Sequence, residues 1–563
     1  MKGKIVMLAF LVLSVGMIAF ALNSITATEK NAKVIGNTIY GDVSKAEGIS
    51  VSFSAHAGES LGWKSTYDFA TQTGETEFHA YDKSKSTITS PDSNVPKAEI
   101  TTDMTWNIRV LNDMLEETPG RQVSQKGIHY PIQKDTLAKY GIKWAENVEE
   151  MYSELTDGLS PGERRSATIH IKDIVEYYPL GFYFSNGNSR YTHSLSWKDV
   201  AATRGEDREM FKDINEFFRI PVLDKEVQFY YHYTVDSEGK LTDGTLSAGG
   251  ADDTEETVEN FPFEMKYCNT EDAFYMLFDA HAFASNGMIT TGTIVDTSQI
   301  EGGFGIYKLP CDLGKSDFYT DQLETVYSLD PENYYRAIEL SQDGKSLLVI
   351  ANDEEKVWAE VISLADMKLV QKIDLISLMN LSAKDLRGLK VGLREISDSS
   401  DDSGSTEDSD GNYLIYTNVS KLAVLSFADG KYQLDMSVAA GEAQTEDVTG
   451  FTALSRYYTL VKYDGHRLVI TGYIYPTDIS YQKMCGQLPD GGDSCMVGVA
   501  VFEADGLAYY GTLTTNLVDY IDEESAEAFA SQAQDADGDW TGFWEDNSDC
   551  VVTRDDFMLE VMI

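Results

Sequence analysis

The chain has 563 residues, 92 of them Asp or Glu against 45 Lys or Arg, for a formal net charge of −47. That balance excludes nucleic acid and anionic lipid surfaces as partners, because phosphate recognition depends on clustered Lys and Arg. With 42% hydrophobic and 11% aromatic residues there is still ample material for a core, so the chain reads as folded, self-repelling and attractive to cations.

In chain order, Lys2 and Lys4 precede an uncharged run from Ile5 to Leu22. At helical rise this run spans about 27 Å, close to the hydrocarbon thickness of about 30 Å. Two readings stand open. One is a retained single-pass anchor with residues 1–4 as a short cytoplasmic tail. The other is a signal peptide cleaved at Ala19-Phe20-Ala21 or Ile25-Thr26-Ala27. Either sends the remainder out of the cytoplasm, so the expected location is the cell membrane, with secretion as the alternative. Residues 23–36 read as a linker. The end Leu559-Glu560-Val561-Met562-Ile563 has no hydrophobic tail, which leaves the N-terminal helix as the expected tether.

Residues 37–165 read as N-terminal strands with a helical insertion. Strands are expected at Ile49 to Phe53, Trp63 to Phe69 and Thr76 to Tyr81. Leu137, Tyr140, Trp144, Val148, Met151, Tyr152 and Leu155 follow helical spacing, and Gly158 and Pro161 end that helix. From residue 166 onward strands resume at Ala167 to Ile171 and Gly181 to Phe184. A second helix is expected over Glu206 to Phe218, with Met210, Phe211, Ile214, Phe217 and Phe218 on its apolar side and Ile220-Pro221 as its stop.

The second half is organised by repetition. Asp343-Gly344, Asp410-Gly411, Asp429-Gly430, Asp464-Gly465 and Asp505-Gly506 fall between apolar runs, and Asp-Gly in that setting marks tight hairpins. Three stretches superpose by this turn grammar, each with four expected strands: Tyr335 to Leu375, Val391 to Val438, and Tyr457 to Leu513. A fourth unit with looser turns is expected upstream, built from Phe274 to Phe278, Met288 to Val295, Phe304 to Leu309 and Leu323 to Leu329. Repeated four-stranded units of about 45 to 55 residues are the grammar of a β-propeller. The expected fold is therefore mainly β, a propeller of about seven or eight blades over residues 166–563 with helical decorations, after an N-terminal membrane helix. Tandem β-sandwiches are the alternative.

The N-terminal apolar segment, Ile39-Tyr40-Gly41-Asp42, Tyr177-Tyr178-Pro179-Leu180 and Phe217-Phe218-Arg219-Ile220-Pro221-Val222 occur in an order that resembles uncharacterised exported, membrane-anchored proteins of Gram-positive anaerobes. The resemblance spans most of the chain and implies compartment and domain order, with no catalytic residue to transfer.

Five cysteines are present, Cys268, Cys311, Cys485, Cys495 and Cys550. Cys485 and Cys495 bracket a short segment containing Gly and Pro between two expected strands and form the proposed disulfide, with buried free thiols as the competing reading. For catalysis, the sequence contains no phosphate-binding or dinucleotide-binding Gly pattern, no His-Glu-x-x-His and no Cys-x-x-Cys. His281 and His466 are expected to be structural or surface residues. No catalytic residue is identified.

Asp535, Asp537 and Asp539 alternate as in the opening of a Ca²⁺-binding loop and form the candidate metal site, with Ca²⁺ as the implied cofactor. Trp540 stands where such a loop needs glycine, and Asp546 where it needs a bidentate Glu, so a plain acidic turn competes with it. Seven carboxylates and six serines between Glu395 and Asp410 read as a solvated loop. Asp408, Asp410 and Asn412 are a further set of Ca²⁺ donors. The 32 tyrosines and 7 tryptophans, Trp540 and Trp544 among them, offer stacking surfaces for sugars as well as sheet packing.

These readings converge on a membrane-tethered, extracytoplasmic binding or interaction protein, with a glycan or surface protein as ligand and the membrane as a partner through its anchor. A secreted carbohydrate-active hydrolase or lyase with a carboxylate pair at the propeller axis is the alternative. A sensor ectodomain is the third reading. It would need a partner subunit, since four residues precede the apolar segment.

Overall fold

The computed structural model describes residues 32–57, 61–80, 95–102, 164–170, 176–187, 192–196, 205–223, 226–235, 241–249, 259–261, 263–284, 289–396, 411–440, 445–456, 459–474, 496–515 and 559–562, with Ser14, Met17, Lys30 and Lys172 singly. The fold is mainly β, with few helices and several antiparallel sheets. The chain divides into two compact units, Asp92–Leu389 and a discontinuous one made of Met1–Pro91 with Lys390–Ile563. Among the described residues no helix is long and apolar enough to cross a membrane. Apart from Ser14 and Met17, the Ile5 to Leu22 segment lies outside those residues.

In the Asp92–Leu389 unit, Tyr334–Leu340, Ser346–Asn352, Lys356–Ser363 and Lys368–Ser377 pair in chain order as a four-stranded antiparallel sheet. The second strand is buried at every position from Leu347 to Asn352, so both of its faces are covered. That is why it reads as an unbroken apolar run. The fourth strand is largely exposed, with Val370 at 63%. Burial thus falls from one side of the sheet to the other.

Upstream, Lys266–Asn269, Ala273–Leu277 and Gly305–Asp312 pair in turn, and Glu324–Ser328 adds to the far side of Gly305–Asp312. The stretch Met288 to Val295, expected to be a strand of this sheet, is not part of it. Thr290–Ile294 instead pairs with His281–Ala284, which pairs with Glu259–Asn260. Closing the short connection between neighbouring strands costs less chain entropy than a longer excursion. Glu206–Phe218 is a helix with Met210, Phe211, Ile214, Phe217 and Phe218 buried, as the spacing predicts. Phe218 meets the rings of Phe263, Phe278 and Tyr307 at centroid distances of 5.0 to 6.3 Å, which fixes the helix on the sheet. Arg219 ends it in the left-handed conformation, φ 39°.

The other unit repeats the grammar. Val391–Ile396, Asn412–Thr417, Lys421–Ala428 and Lys431–Ala439 form one four-stranded sheet. Its last hairpin turns at Asp429-Gly430, where both residues take positive φ, 54° and 75°. That is the backbone a two-residue hairpin turn requires. Leu460–Tyr463, Leu468–Ile474, Met496–Glu503 and Gly506–Thr515 form the next, and Val34–Gly41 adds to its edge. Leu468, Ile470, Ala500 and Tyr510 enter one core with Leu414 and Val424. Val469, Val499, Val501 and Tyr509 enter another with Phe53, Trp63 and Phe69. The strand alternation thus feeds two cores from one sheet. The short helix Glu446–Thr449 packs where Gly498 lies: a Cβ there would come within 2.7 Å of Val448 Cγ1.

The third sheet of this unit joins distant parts of the chain. Leu559–Met562 pairs with Ser50–Ala57, which continues into Leu61–Asp68 and Thr73–Ala80. Strands on either side of the 165/166 boundary read from the sequence therefore share sheets, here and between Val34–Gly41 and Gly506–Thr515.

Candidate functional site

The Asp92–Leu389 unit buries an ionic cluster between two of its sheets. Asp279 and His281 lie in the turn and strand that follow Ala273–Leu277. Asp279 Oδ1 accepts the His281 backbone N–H at 3.1 Å and lies 2.7 Å from His281 Nδ1. A carboxylate oxygen only accepts, so this ring nitrogen carries the proton. Arg336, on Tyr334–Leu340, donates through Nη1 to Asp279 Oδ2 at 3.2 Å and through Nε to Asn352 Oδ1 at 2.7 Å. Asn352 is placed opposite by the pairing of Tyr334 with Asn352, and its Nδ2 donates to the Asp353 carbonyl at 3.0 Å. The Tyr334 ring stacks on His281 at 3.7 Å between centroids, and Arg336 Cζ lies 4.8 Å from the same ring. Side-chain exposure is 3% for His281, 8% for Asp279 and 12% for Arg336.

Burial alone would push the Asp279 carboxyl up. The His281 hydrogen bond and the charges of Arg336, His281 and Lys266 outweigh it and hold the group below the ordinary carboxylate value. Asp279 is therefore ionised and fully engaged. It is a structural counter-ion, unlike a glycosidase acid, which needs a raised value. Lys266, on Lys266–Asn269, is partly buried. Burial lowers its ammonium below the ordinary lysine value, with Arg336 acting in the same direction and Asp279 and Glu264 opposing. Among the described residues its Nζ has no hydrogen-bond or salt-bridge partner.

One carboxyl is shifted the other way. Asp213, on the Glu206–Phe218 helix, is raised by burial, with Asp321 and Glu209 adding to it, against the Thr320 hydroxyl that donates to Oδ2 at 2.9 Å.

The residues singled out from sequence are distributed differently. Asp535, Asp537 and Asp539 lie outside the described residues, as do Cys485, Cys495, Asp408, Asp410, Trp540 and Trp544. Cys268 and Cys311 are free, buried thiols in one sheet, the second pushed up to about 12 by burial. Low thiolate content makes both inert. His466 sits in the turn whose backbone Asp464 Oδ1 caps at 2.9 Å, a surface role. His281, expected to be a structural or surface residue, is buried and held by Asp279 and Tyr334. Asp279, Arg336 and Lys266 were not singled out. Their signal was a lone cation inside an apolar strand, as in Met265-Lys266-Tyr267 and Tyr335-Arg336-Ala337.

No family model matches the chain, and no curated protein matches it. Several solved structures do, weakly. A proposed 6-phosphogluconolactonase from Bacteroides uniformis is 13% identical, covering 59% of this chain and 78% of its own, with a TM-score of 0.21. A protein from Lactobacillus plantarum is 8% identical over 83% of this chain and 98% of its own, TM-score 0.24. The β-propeller domain of Myceliophteria thermophila Cps50 (Swd1) is 7% identical over 50% and 82%, TM-score 0.19. At scores this low the likenesses transfer neither a fold nor an activity.

Proposed function

We propose that the chain is an extracytoplasmic binding module on a β-propeller scaffold, held at the membrane through Ile5 to Leu22, with a glycan or surface protein as its ligand. One observation carries the reading. Four-stranded antiparallel sheets recur along the chain, and one of them is completed by Leu559–Met562 pairing with Ser50–Ala57. A ring of such sheets needs its first and last segments to share a blade, since each sheet buries its faces only against neighbours. Rigid repeated sheets suit a scaffold that presents connecting loops to a ligand. Membership among exported proteins of Gram-positive anaerobes is part of the same proposal and rests on the short motifs described above.

The test is a glycan array probed with the full chain in detergent, followed by product analysis on any glycan retained. Retention without turnover is the expected result. Release of sugar product would replace the binding reading with a hydrolase or lyase. A blank array would remove the glycan. Alkaline extraction of membranes, combined with mass spectrometry of the mature N-terminus, tests the tether: the chain is expected to stay in the pellet with Ile5 to Leu22 intact.

A further inference from the structure

Two histidines of the sheet that holds Ser50–Ala57, Leu61–Asp68 and Thr73–Ala80 fall in one row. His56 pairs with Gly62 and Gly62 with His79, with no register shift in either ladder. Directly paired residues of an antiparallel ladder share a face, as Ser52 and Thr66 of the first ladder show by meeting at 2.8 Å between hydroxyl oxygens. His56 and His79 therefore stand on one face, on either side of a residue without a side chain. A Cβ at Gly62 would come within 2.6 Å of His79 Nε2 and 3.1 Å of its Cδ2 and Cε1. The His79 ring thus lies over the middle strand, with a nitrogen at the centre of the row. His79 is exposed, so the row is reached from solvent.

Covering a strand glycine does not call for a nitrogen. At Gly392 the residue directly opposite is Tyr416, whose Cζ would lie 2.3 Å from a Cβ there. Imidazole adds a metal ligand to the cover. We propose that the row His56–Gly62–His79 binds a divalent transition ion of the Zn²⁺ and Cu²⁺ class, with His56 and His79 as its protein ligands and water in the remaining positions. Spacing supports two histidines on one ion. Metal–imidazole bonds of about 2.0 to 2.1 Å let two of them span about 4 Å, and neighbouring strands lie about 4.8 Å apart. With His79 Nε2 already over Gly62, the second ligand comes from the next strand, where the register puts His56. Imidazole donors select this class over Ca²⁺ and Mg²⁺, which take oxygen ligands. The adjoining row of the same face, Ser54, Lys64 and Glu77, carries one charge of each sign, and the chain's net charge of −47 favours a cation. Among the described residues no three His, Cys, Asp or Glu are placed to hold a metal ion, which is why two protein ligands are assigned.

The probe is Cu²⁺ alone, which heads the affinity order for such ligands, titrated calorimetrically into the untagged full chain in detergent, with excess Ca²⁺ present to occupy carboxylates. Wild type is compared with His56→Ala and with His79→Phe, which keeps a ring over Gly62 and removes the nitrogen. The wild type is expected to take up an equivalent of Cu²⁺ whose electron paramagnetic resonance shows two imidazole nitrogens. Each variant should lose at least about tenfold in affinity, the lower end of what losing even an outer-shell partner of a metal costs, and its resonance should fall to one nitrogen. The inference is overturned if the wild type gives no two-nitrogen signal, or if either variant binds Cu²⁺ as the wild type does. Undiminished binding by His79→Phe would make His79 a cover for Gly62 and nothing more. Should His56→Ala lose its native circular dichroism, His79→Phe decides alone, since its site is exposed and it retains the ring. The glycan array bears on the ligand reading above and not on this site.

Discussion

Two buried guanidiniums in this chain do different work. Arg394 donates to the backbone carbonyls of Leu454 at 2.8 Å and Arg456 at 2.9 Å, and also to that of Thr459. Its partners are the orphan acceptors left where the short helix Phe451–Leu454 ends and the chain turns toward Leu460–Tyr463. It is a staple, with its charge spread over dipoles. Arg336 is tied to a carboxylate and an amide. Residue type is the same in both places, so partner chemistry separates a cation that closes a turn from one that neutralises a buried carboxylate.

Breaking each site should expose the difference, starting with the largest effect. Asp279→Ala leaves Arg336 without its counter-ion and is expected to cost about 3 to 5 kcal/mol, the usual penalty for orphaning a buried charge. Urea unfolding measures it, and a loss under 1 kcal/mol would mean the cluster is wetter than drawn. Arg394→Met strands the turn carbonyls and should cost about 2 to 3 kcal/mol, which urea unfolding measures. Asn352→Ala removes one partner of Arg336 and is expected to cost about 1 kcal/mol.

Acid should act on one of the two sites only. The folded Asp279 carboxyl titrates below its unfolded value, so its contribution is present above the unfolded value and is lost as pH falls through the folded one. Stability should therefore decline from about pH 5 downward, and Asp279→Asn should flatten that decline while Arg394→Met leaves its slope unchanged. Smallest is Lys266→Met. Because burial lowers the Lys266 ammonium, the folded state pays for its charge at neutral pH, and the variant is expected to be no less stable than the wild type by thermal unfolding. A marked loss would make Lys266 a structural residue.

Local pattern made much of this architecture legible. The helix Glu206–Phe218 and its five buried residues follow from spacing, since a helical face is written in adjacent turns. The sheets of 334–377 and 391–439 follow from Asp-Gly turns between apolar runs, because every pairing in them is between sequence neighbours. Where pairing leaves the neighbourhood, legibility ends. Thr290–Ile294 reads as well for one sheet as for another, and register with His281–Ala284 is settled by packing. Nothing in Leu559–Met562 announces Ser50–Ala57 as its partner.

The sequence by itself determined the mainly β class, the turn positions and the helix that packs on the 266–328 sheet, because these rest on spacing within a few residues. Only the tertiary structure decided the closing of distant segments into shared sheets and the assembly of Asp279, Arg336, Asn352 and Lys266. Those four come from separate strands and turns, and an ion pair depends on distances of a few ångströms that residue order does not encode.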